Sequence, residues 1–231
     1  MARAPDHGQI PLDLGLPPAF GREDFVESTC NRAALAAVES WPDWEGNSLA
    51  ILGPTGSGKT HLAHIFAARS NARFIDPAKP FPDLSSSFSG RALVLEVPDD
   101  WTMDETGLFH MLNQARETGK SLLLTARTWP YTWGMALPDL RSRIYAIPTI
   151  ELFEPDDALL NAVLVKLFAD RQLIPDPSVV SFVSRRIERS ISAAIDIVDA
   201  LDREAMSTKR AVTRPMAARL LAAADEDGHQ A

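Results

Sequence analysis

A glycine-rich stretch at residues 53–60 constrains this chain more than any other feature of its sequence. It reads Gly-Pro-Thr-Gly-Ser-Gly-Lys-Thr and fits the pattern G-x-x-x-x-G-K-[ST]. An apolar run typical of a strand precedes it at 48–52, and a stretch with helical spacing follows at 59–69. Glycines at positive φ let backbone N–H groups surround a phosphate group. A glycine turn that only links two elements is the alternative, but the pattern and its setting together favour a phosphate-binding loop.

The residue types of this loop suggest how a nucleotide would be held. Lys59 is placed to reach the β and γ phosphates, and the hydroxyl of Thr60 is placed to hold Mg²⁺. The expected cofactors are therefore ADP or ATP with Mg²⁺. The residues that we expect to bind the nucleotide are Gly53, Thr55, Gly56, Ser57, Gly58, Lys59 and Thr60.

Apolar runs alternate with helical stretches over the first two thirds of the chain. Continuous apolar runs are typical of a parallel sheet covered on both faces, so the pattern predicts an α/β core. A proline inside the last run, Pro148, favours the sheet edge for that strand. The predicted strands are 48–52, 74–75, 92–97, 121–126 and 145–152; the predicted helices are 31–40, 59–69 and one that opens at Pro98 and reaches about Thr118.

After Pro155 the strand signals stop and four helices are predicted. They cover 158–171, 178–187, about 190–206, and a stretch that begins near Thr213. The expected organisation is an N-terminal tail without regular structure at 1–18, a nucleotide-binding core at 19–153, and a helical domain at 154–231.

Composition narrows the class of protein. The 231 residues are 45% hydrophobic and carry a formal net charge of −8, which is ordinary for a globular chain and disfavours strong direct binding to DNA. No apolar run approaches the roughly 20 residues of a membrane helix. The single cysteine, Cys30, excludes an internal disulfide and a cysteine-based zinc site. We therefore expect a cytoplasmic protein that does not contact membranes.

One carboxylate that could hold the metal ion ends the third predicted strand. Glu96 lies where P-loop proteins carry an acid near Mg²⁺, but ATPases carry a second acid that orients water, and that position is Val97. Asp99 and Asp100 lie close, and Pro98 leaves their placement open. We expect bound nucleotide and slow turnover, with Glu96 as a degenerate form of the metal-holding acid.

Several segments, taken in order, resemble the DnaA-type AAA+ family. The stretch at 25–32 is similar to the entry of the family's nucleotide pocket, with Ser28 in place of a glycine. The resemblance covers residues 25 to about 221 and implies a P-loop AAA+ fold, with a parallel five-stranded αβα core followed by an all-α four-helix lid. The other segments are similar to the phosphate loop and its helix, the Walker B helix, the sensor-1 strand, box VII and the sensor-2 helix, at 53–63, 108–113, 119–125, 137–143 and 189–196.

Two departures from the family pattern concern hydrolysis. Arg127 stands at the sensor-1 position, where the family has Asp or Asn, and Val97 replaces the second Walker B acid. The chain also ends before the helix-turn-helix domain that the initiators carry. These features favour the shorter Hda-like regulators of the family over the initiators themselves.

The resemblance also implies roles for two arginines. The serine-arginine pair of box VII places an arginine finger at Arg143, which would act in trans on a nucleotide held by a neighbour. Arg189, on the sensor-2 helix, would contact a phosphate of the protein's own nucleotide. The alternatives are surface cations that pair with acids, for Arg141 and Arg143, and simple solvation for Arg189.

Near the N-terminus, Gln9, Leu12 and Leu14 fit Q-x-x-L-x-L, which resembles the peptide that docks on the bacterial replicative sliding clamp. Gln9 would hydrogen-bond at the rim of a groove. The two leucines would fill apolar subsites at about 2 kcal/mol each, against ~1–2 kcal/mol for ordering each tail residue. The pattern is short, so a tail without a partner is the alternative. We expect weak docking that other contacts strengthen.

Taken together, the resemblance implies a nucleotide-binding regulator of replication initiation. It would dock on the DNA-loaded polymerase sliding clamp, contact DNA only through the clamp, and supply Arg143 to hydrolyse ATP on a DnaA-type initiator, which prevents re-initiation. A homo-oligomer is compatible with this interpretation. Two alternatives stay open: a small P-loop nucleotide kinase, whose arginine-rich lid and acceptor insertion we do not find, and a helicase loader or assembly adaptor.

Overall fold

The computed structural model describes residues 20–82, 84, 90–99, 102 and 104–228, without the side chains of 224–228. Strands and helices alternate as far as the last strand, and only helices follow it. The strands are β1 (Ser48–Leu52), β2 (Arg73–Ile75), β3 (Ala92–Glu96), β4 (Ser121–Ala126) and β5 (Thr149–Glu151). The helices are α1 (Arg32–Glu39), α2 (Lys59–Ser70), α3 (Glu105–Glu117), α4 (Pro138–Tyr145), α5 (Asp157–Asp170), α6 (Pro177–Ser184), α7 (Ile191–Thr208) and α8 (Arg214–Gly228).

The five strands form one parallel sheet in the order β2-β3-β4-β1-β5. In this register Ile51 of β1 lies opposite Thr125 of β4 and Ile150 of β5. Because all strands run in one direction, their carboxyl ends meet at one edge, where open α/β sheets bind their ligands. The predicted α/β class and five-stranded parallel sheet are confirmed, and so is the edge position of the last strand.

Alternate side chains of the central strands face two separate apolar layers. In β1, Ala50 and Leu52 belong to the layer under α3 and α4, whereas Leu49 and Ile51 belong to the layer under α1 and α2. Covering on both faces explains why these strands are continuous apolar runs. The two layers fix the carboxyl edge of the sheet and the loops that leave it.

Helices α5–α8 pack around a third apolar cluster, in which Phe168 is 1% exposed. Asp156 caps α5, because its carboxylate accepts a hydrogen bond from the N–H of Leu159 at 2.7 Å. Ser190 caps α7 by accepting from the N–H of Ala193 at 3.1 Å. All four helices expected after Pro155 are therefore present. Among the described residues, none of the helices has both the length and the apolar character that crossing a membrane requires.

The predicted start of α3 is wrong. The helix begins at Glu105 rather than near Pro98, because Asp104 accepts a hydrogen bond from the N–H of Gly107 at 2.9 Å and caps the helix there. Asp99, whose placement the sequence left open, lies in the loop that leaves β3.

The predicted extent of the fifth strand, 145–152, is also wrong. The chain just before the strand forms α4, which extends to Tyr145, the first residue of the predicted strand. In this helix Leu140 and Ile144 lie four residues apart and are both buried. That spacing places both side chains on one helix face, and Pro138 occupies the first turn, which tolerates proline. The strand itself contains only three residues.

Candidate nucleotide-binding site

The glycine-rich loop lies at the carboxyl edge of the sheet, between β1 and α2. Gly56 and Gly58 have φ values of 70° and 102°, in the left-handed region that favours glycine. Gly53 is required for a steric reason instead, since a Cβ there would lie 2.3 Å from the carbonyl oxygen of Leu152. Glycine is thus required at three positions of the loop, whose backbone can then approach a phosphate group closely.

Two polar side chains of the loop fit a bound anion. The Oγ of Ser57 is buried and has no hydrogen-bond partner in the described part of the chain, which is unusual for a buried hydroxyl. The ammonium of Lys59 donates to the carbonyl oxygens of Gly53 and Pro54, both at 2.7 Å. The loop therefore holds a cation and a spare donor where the sequence predicts that a phosphate group binds.

The side chains of Thr60 and Glu96 meet beside this loop. Thr60 Oγ1 donates to Glu96 Oε1 at 2.8 Å, and both line a cavity of about 310 Å³. Within the described residues, no group of three or more His, Cys, Asp or Glu side chains is arranged to hold a metal ion. A metal ion at this position would therefore take further ligands from a nucleotide and from water.

Val97 is a packing residue whose backbone extends the pairing of β3 with β4. Its backbone N–H donates to the carbonyl oxygen of Thr125 at 2.8 Å, and its side chain packs against the apolar layer under α3 and α4. The position at which ATPases carry the acid that orients water is thus occupied by an aliphatic group.

Arg127 and Asp99 form an ion pair beside the cavity. Arg127 Nη1 donates to Asp99 Oδ2 at 3.0 Å, and both side chains are more than half exposed. Burial lowers the pKa of Lys59, an effect that Asp99 opposes and Arg127 reinforces. The pair therefore acts electrostatically on the loop lysine. Sequence reasoning missed this pairing, because the two residues leave different strands in loops without a regular pattern.

The start of α7 rests directly on the phosphate loop. The backbone N–H of Ile191 donates to the carbonyl oxygen of Gly56 at 2.7 Å. A Cβ on Gly56 would lie 2.5 Å from both Ser190 Cβ and Ser192 Oγ. The C-terminal helices thus contact the loop through a glycine that leaves no room for a side chain.

Arg189 lies immediately before this contact, but its side chain points to another partner. Its Nη2 lies 2.8 Å from Oδ1 of Asp157, and both side chains are exposed. Arg189 thus lies two residues before Ile191, which contacts the loop, while its side chain forms an ion pair at the start of α5.

Arg143 lies in the last turn of α4. Because α4 connects two parallel strands, it runs back from the carboxyl edge that carries the phosphate loop. The guanidinium carbon of Arg143 lies 5.2 Å from the ring centroid of Phe109 in α3. Among the described residues, no carboxylate forms an ion pair with Arg143, and Arg141 is exposed on the same helix.

Helix α2 also holds the segment where the described chain begins. Phe20 stacks on His64, with ring centroids 4.3 Å apart, and Nε2 of His61 donates to the carbonyl oxygen of Gly21 at 2.9 Å. Burial lowers the pKa of His61, against the opposing effects of the Gly21 hydrogen bond and of Asp24. The helix that carries Lys59 and Thr60 therefore also anchors the chain next to the N-terminal tail.

The three residues of the predicted clamp motif, Gln9, Leu12 and Leu14, lie outside the described residues. Docking of the tail stays a prediction from the sequence.

No protein-family profile matches the chain. Its sequence is, however, similar to those of curated DnaA proteins. The chain is 27% identical to the chromosomal replication initiator protein DnaA of Thermomicrobium roseum over 242 aligned positions, which cover 91% of this chain and 51% of the relative. It is 25% identical to DnaA of Methylobacillus flagellatus over 203 positions, which cover 77% of this chain and 43% of the relative. The chain thus spans about half the length of the curated relatives it matches.

Solved structures share the fold. Domain III of the Thermotoga maritima replication initiation protein DnaA superposes with a TM-score of 0.75 at 20% identity, over 89% of this chain and 96% of that domain. AMPPCP-bound DnaA from Aquifex aeolicus gives 0.65 at 18% identity, over 81% and 66%. The Thermotoga maritima Holliday junction branch migration motor RuvB gives 0.61 at 16% identity, over 87% and 70%. The chain is thus similar in sequence to the replication initiator DnaA and shares the fold of DnaA domain III.

Proposed function

We propose that this chain is a nucleotide-binding AAA+ regulator of replication initiation that completes the active site of a DnaA-type initiator. One contrast carries the proposal. The loop at 53–60 keeps the groups that bind a nucleotide, whereas Val97 and Arg127 occupy positions where this class of ATPase carries groups for hydrolysis. Arg143 lies in the last turn of α4, a helix that runs back from the edge of the sheet that carries this loop. A chain built in this way binds its own nucleotide and acts on that of a neighbour.

The nucleotide proposed is ADP or ATP, with Mg²⁺. Lys59 would exchange the two carbonyl oxygens that it now contacts for phosphate oxygens, and the loop N–H groups would surround the phosphate. Thr60 and Glu96 would hold Mg²⁺, Glu96 through water. Arg189 would leave Asp157 to contact a phosphate. The DnaA structure from Aquifex aeolicus that shares the fold was solved with AMPPCP, which supports this part of the proposal.

Arg143 is proposed as an arginine finger for the initiator's ATP. Its guanidinium is held against Phe109 rather than by a carboxylate, so its N–H donors stay available to an incoming phosphate. Stabilising the charge that develops on a transferred γ-phosphoryl group in this way is worth about 10³–10⁵ in rate. Such a finger needs only correct placement on the neighbour, so losing hydrolysis in its own pocket costs the chain little.

The tail would bring the chain to its place of action. Gln9, Leu12 and Leu14 are proposed to dock on a sliding clamp loaded on DNA, with the initiator captured beside it. A weak peptide contact suffices when a second contact follows, because tethering raises the effective concentration to about the millimolar range.

The test follows labelled ATP bound to a purified DnaA-type initiator, with the chain present and with or without DNA-loaded clamp. We expect faster hydrolysis only when chain and loaded clamp are both present. Unchanged decay with both present would contradict the proposal. Phosphate transfer to nucleoside monophosphates would support a nucleotide kinase instead, and retention on helicase rather than on clamp would support a loader.

Nucleotide binding is tested separately with Lys59→Ala. We expect this variant to lose binding of fluorescent ATP and ADP analogues, because it removes the one ammonium in the loop. Lys79→Ala is the matched control, since Lys79 is an exposed lysine paired with Asp76. Equal nucleotide affinity of the two variants would overturn the assignment of the loop.

A further inference from the structure

Four exposed arginines gather where α6 ends and α8 begins. We call them the Phe182 arginine cluster: Arg185, Arg186, Arg210 and Arg214. The guanidinium carbons of Arg186 and Arg214 lie 3.9 and 4.8 Å from the ring centroid of Phe182. Arg186 Nη1 also donates to the carbonyl oxygen of Phe182 at 3.2 Å. Two positive charges, one just after α6 and one at the start of α8, are therefore held on one aromatic ring.

The other two arginines are close along the chain. Arg185 is the cap of α6 and adjoins Arg186. Arg210 precedes Arg214 by four residues, so the two Cα atoms lie within about 14 Å of each other. The backbone therefore brings all four arginines to the end of α6 and the start of α8, where the guanidinium groups of Arg186 and Arg214 share Phe182.

The cluster lacks carboxylate partners. In the part of the chain that the structure describes, none of its four arginines forms an ion pair, and two of the four acids of α7 pair with other arginines. Asp199 pairs with Arg171, and Glu204 pairs with Arg219. Between residues 185 and 195, Glu188 is the only acid in the sequence. Although the chain carries a net charge of −8, the electrostatic potential around these arginines is therefore positive and attracts anions.

We propose that the Phe182 arginine cluster binds the phosphate backbone of duplex DNA. Guanidinium groups bind phosphate through paired N–H donors, and stacking on Phe182 fixes two of them before binding. The biological setting rests on the proposed function, in which the chain docks on a clamp that encircles DNA. The affinity for DNA itself needs neither clamp nor initiator. The proposal differs from the expectation, implied by the resemblance, that the chain contacts DNA only through the clamp.

Duplex DNA fits this surface better than an anionic membrane does. Membrane docking uses exposed apolar side chains that enter the lipid beside the charges. Here the central aromatic group, Phe182, is partly buried and is flanked by guanidinium groups. The surface thus presents charge and hydrogen-bond donors rather than an apolar wedge, and it carries no feature that would read a base sequence.

The proposal predicts weak binding that depends strongly on salt and not on sequence. Four phosphate contacts give a slope of log affinity against log salt concentration of about −3.6. The affinity for DNA should therefore fall about 150-fold between 50 and 200 mM salt.

The test measures the fluorescence anisotropy of short labelled duplexes of two unrelated sequences with the full chain, without clamp. We expect equal affinity for both sequences. Arg186→Ala/Arg210→Ala/Arg214→Ala should lower the salt slope by about 2.7 and the low-salt affinity at least about 30-fold. Arg32→Ala/Lys79→Ala/Arg116→Ala, the matched control, removes the same charge elsewhere and should change affinity only a few-fold.

Two further measurements separate the possible outcomes. Replacement of the same three arginines by lysine keeps the charge, so it should retain most of the affinity and show that the alanine result is not a loss of folding. Arg143→Ala should bind DNA like the parent, which separates this surface from the proposed function. Equal losses in the cluster and control variants would overturn the proposal. Capture by phosphatidylglycerol vesicles through the same arginines, without DNA binding, would overturn it in favour of a membrane.

Discussion

The hydroxyl of Thr60 donates a 2.8 Å hydrogen bond to Oε1 of Glu96. The two residues are 36 positions apart; Thr60 lies in α2, which follows β1, Glu96 ends β3, and β4 lies between β1 and β3 in the sheet. The contact joins the first turn of α2 to the end of β3, so it brings together two oxygen groups suited to a nucleotide-bound Mg²⁺. The sequence motif itself predicted Thr60, whereas Glu96 was predicted only because it ends a buried strand.

Glu96→Gln should weaken nucleotide binding in the presence of Mg²⁺ by about 10- to 100-fold, the range found when groups around a metal are altered. The amide keeps the shape of the side chain but loses the charge that faces the metal ion. Titration of a fluorescent nucleotide with Mg²⁺ and with chelator checks this. Glu117→Gln, at an exposed position at the end of α3, should have no effect. An equal loss of affinity in chelator would contradict a role through the metal.

Gly56→Ala should lower the free energy of unfolding by more than the cost of placing an alanine at a positive φ. Gly134→Ala is the matched control, since its φ of 66° is similar but no atom lies within 4 Å of a Cβ there. The control carries only the left-handed strain of about 1–2 kcal/mol, whereas the Gly56 variant must also displace Ser190 and Ser192, at about 1–3 kcal/mol more. Denaturant unfolding gives both values, and equal values would show that α7 does not press on the loop.

Because of His61, the free energy of unfolding should be smaller in mild acid than at neutral pH. The pKa of His61 in the folded state is lowered by burial, so below about pH 6.5 the unfolded chain binds more protons than the folded one. The stability that neutral His61 contributes is therefore present above that pH and is lost as the pH falls toward the lowered pKa. Unfolding free energies at about pH 7.5 and about pH 5.5 should differ less for His61→Gln than for the parent or for His110→Gln. The same pH dependence in all three proteins would contradict the assignment.

The triple variant Gln9→Ala/Leu12→Ala/Leu14→Ala should lose retention on immobilised clamp in the absence of DNA. Leaving DNA out keeps the Phe182 arginine cluster from contributing. Asp13→Asn changes the same tail at a variable position of the motif and should be retained like the parent. Surface plasmon resonance compares the three proteins, and retention of the triple variant would refute the tail as the docking element.

Much of the fold could be predicted because its signals are local. The run at 121–126 matches β4 residue for residue, since six consecutive buried positions leave few alternatives to a central strand. The start of the fifth strand was harder to place. Leu140 and Ile144 carry a helical spacing that covers only one turn, and Pro148 drew attention to the strand that follows.

The contacts that define the site could not be predicted to the same degree. The Gly56–Ile191 hydrogen bond joins residues far apart in sequence, and no local pattern encodes it. The ion pairs Arg127–Asp99 and Arg189–Asp157 are formed by exposed side chains, whose partners depend on how the loops fold. A motif specifies which residues surround a phosphate, whereas the partners of its neighbours follow from tertiary structure.

The role of Arg143 is the centre of the account, and one assay tests it most directly. Hydrolysis of initiator-bound ATP is measured on clamp-loaded DNA with the parent chain, Arg143→Ala and Arg141→Ala. Arg143→Ala should still bind clamp and nucleotide but lose stimulation by about 10³-fold or more, whereas Arg141→Ala, on the same helix, should stimulate like the parent. Full stimulation by Arg143→Ala would contradict the account.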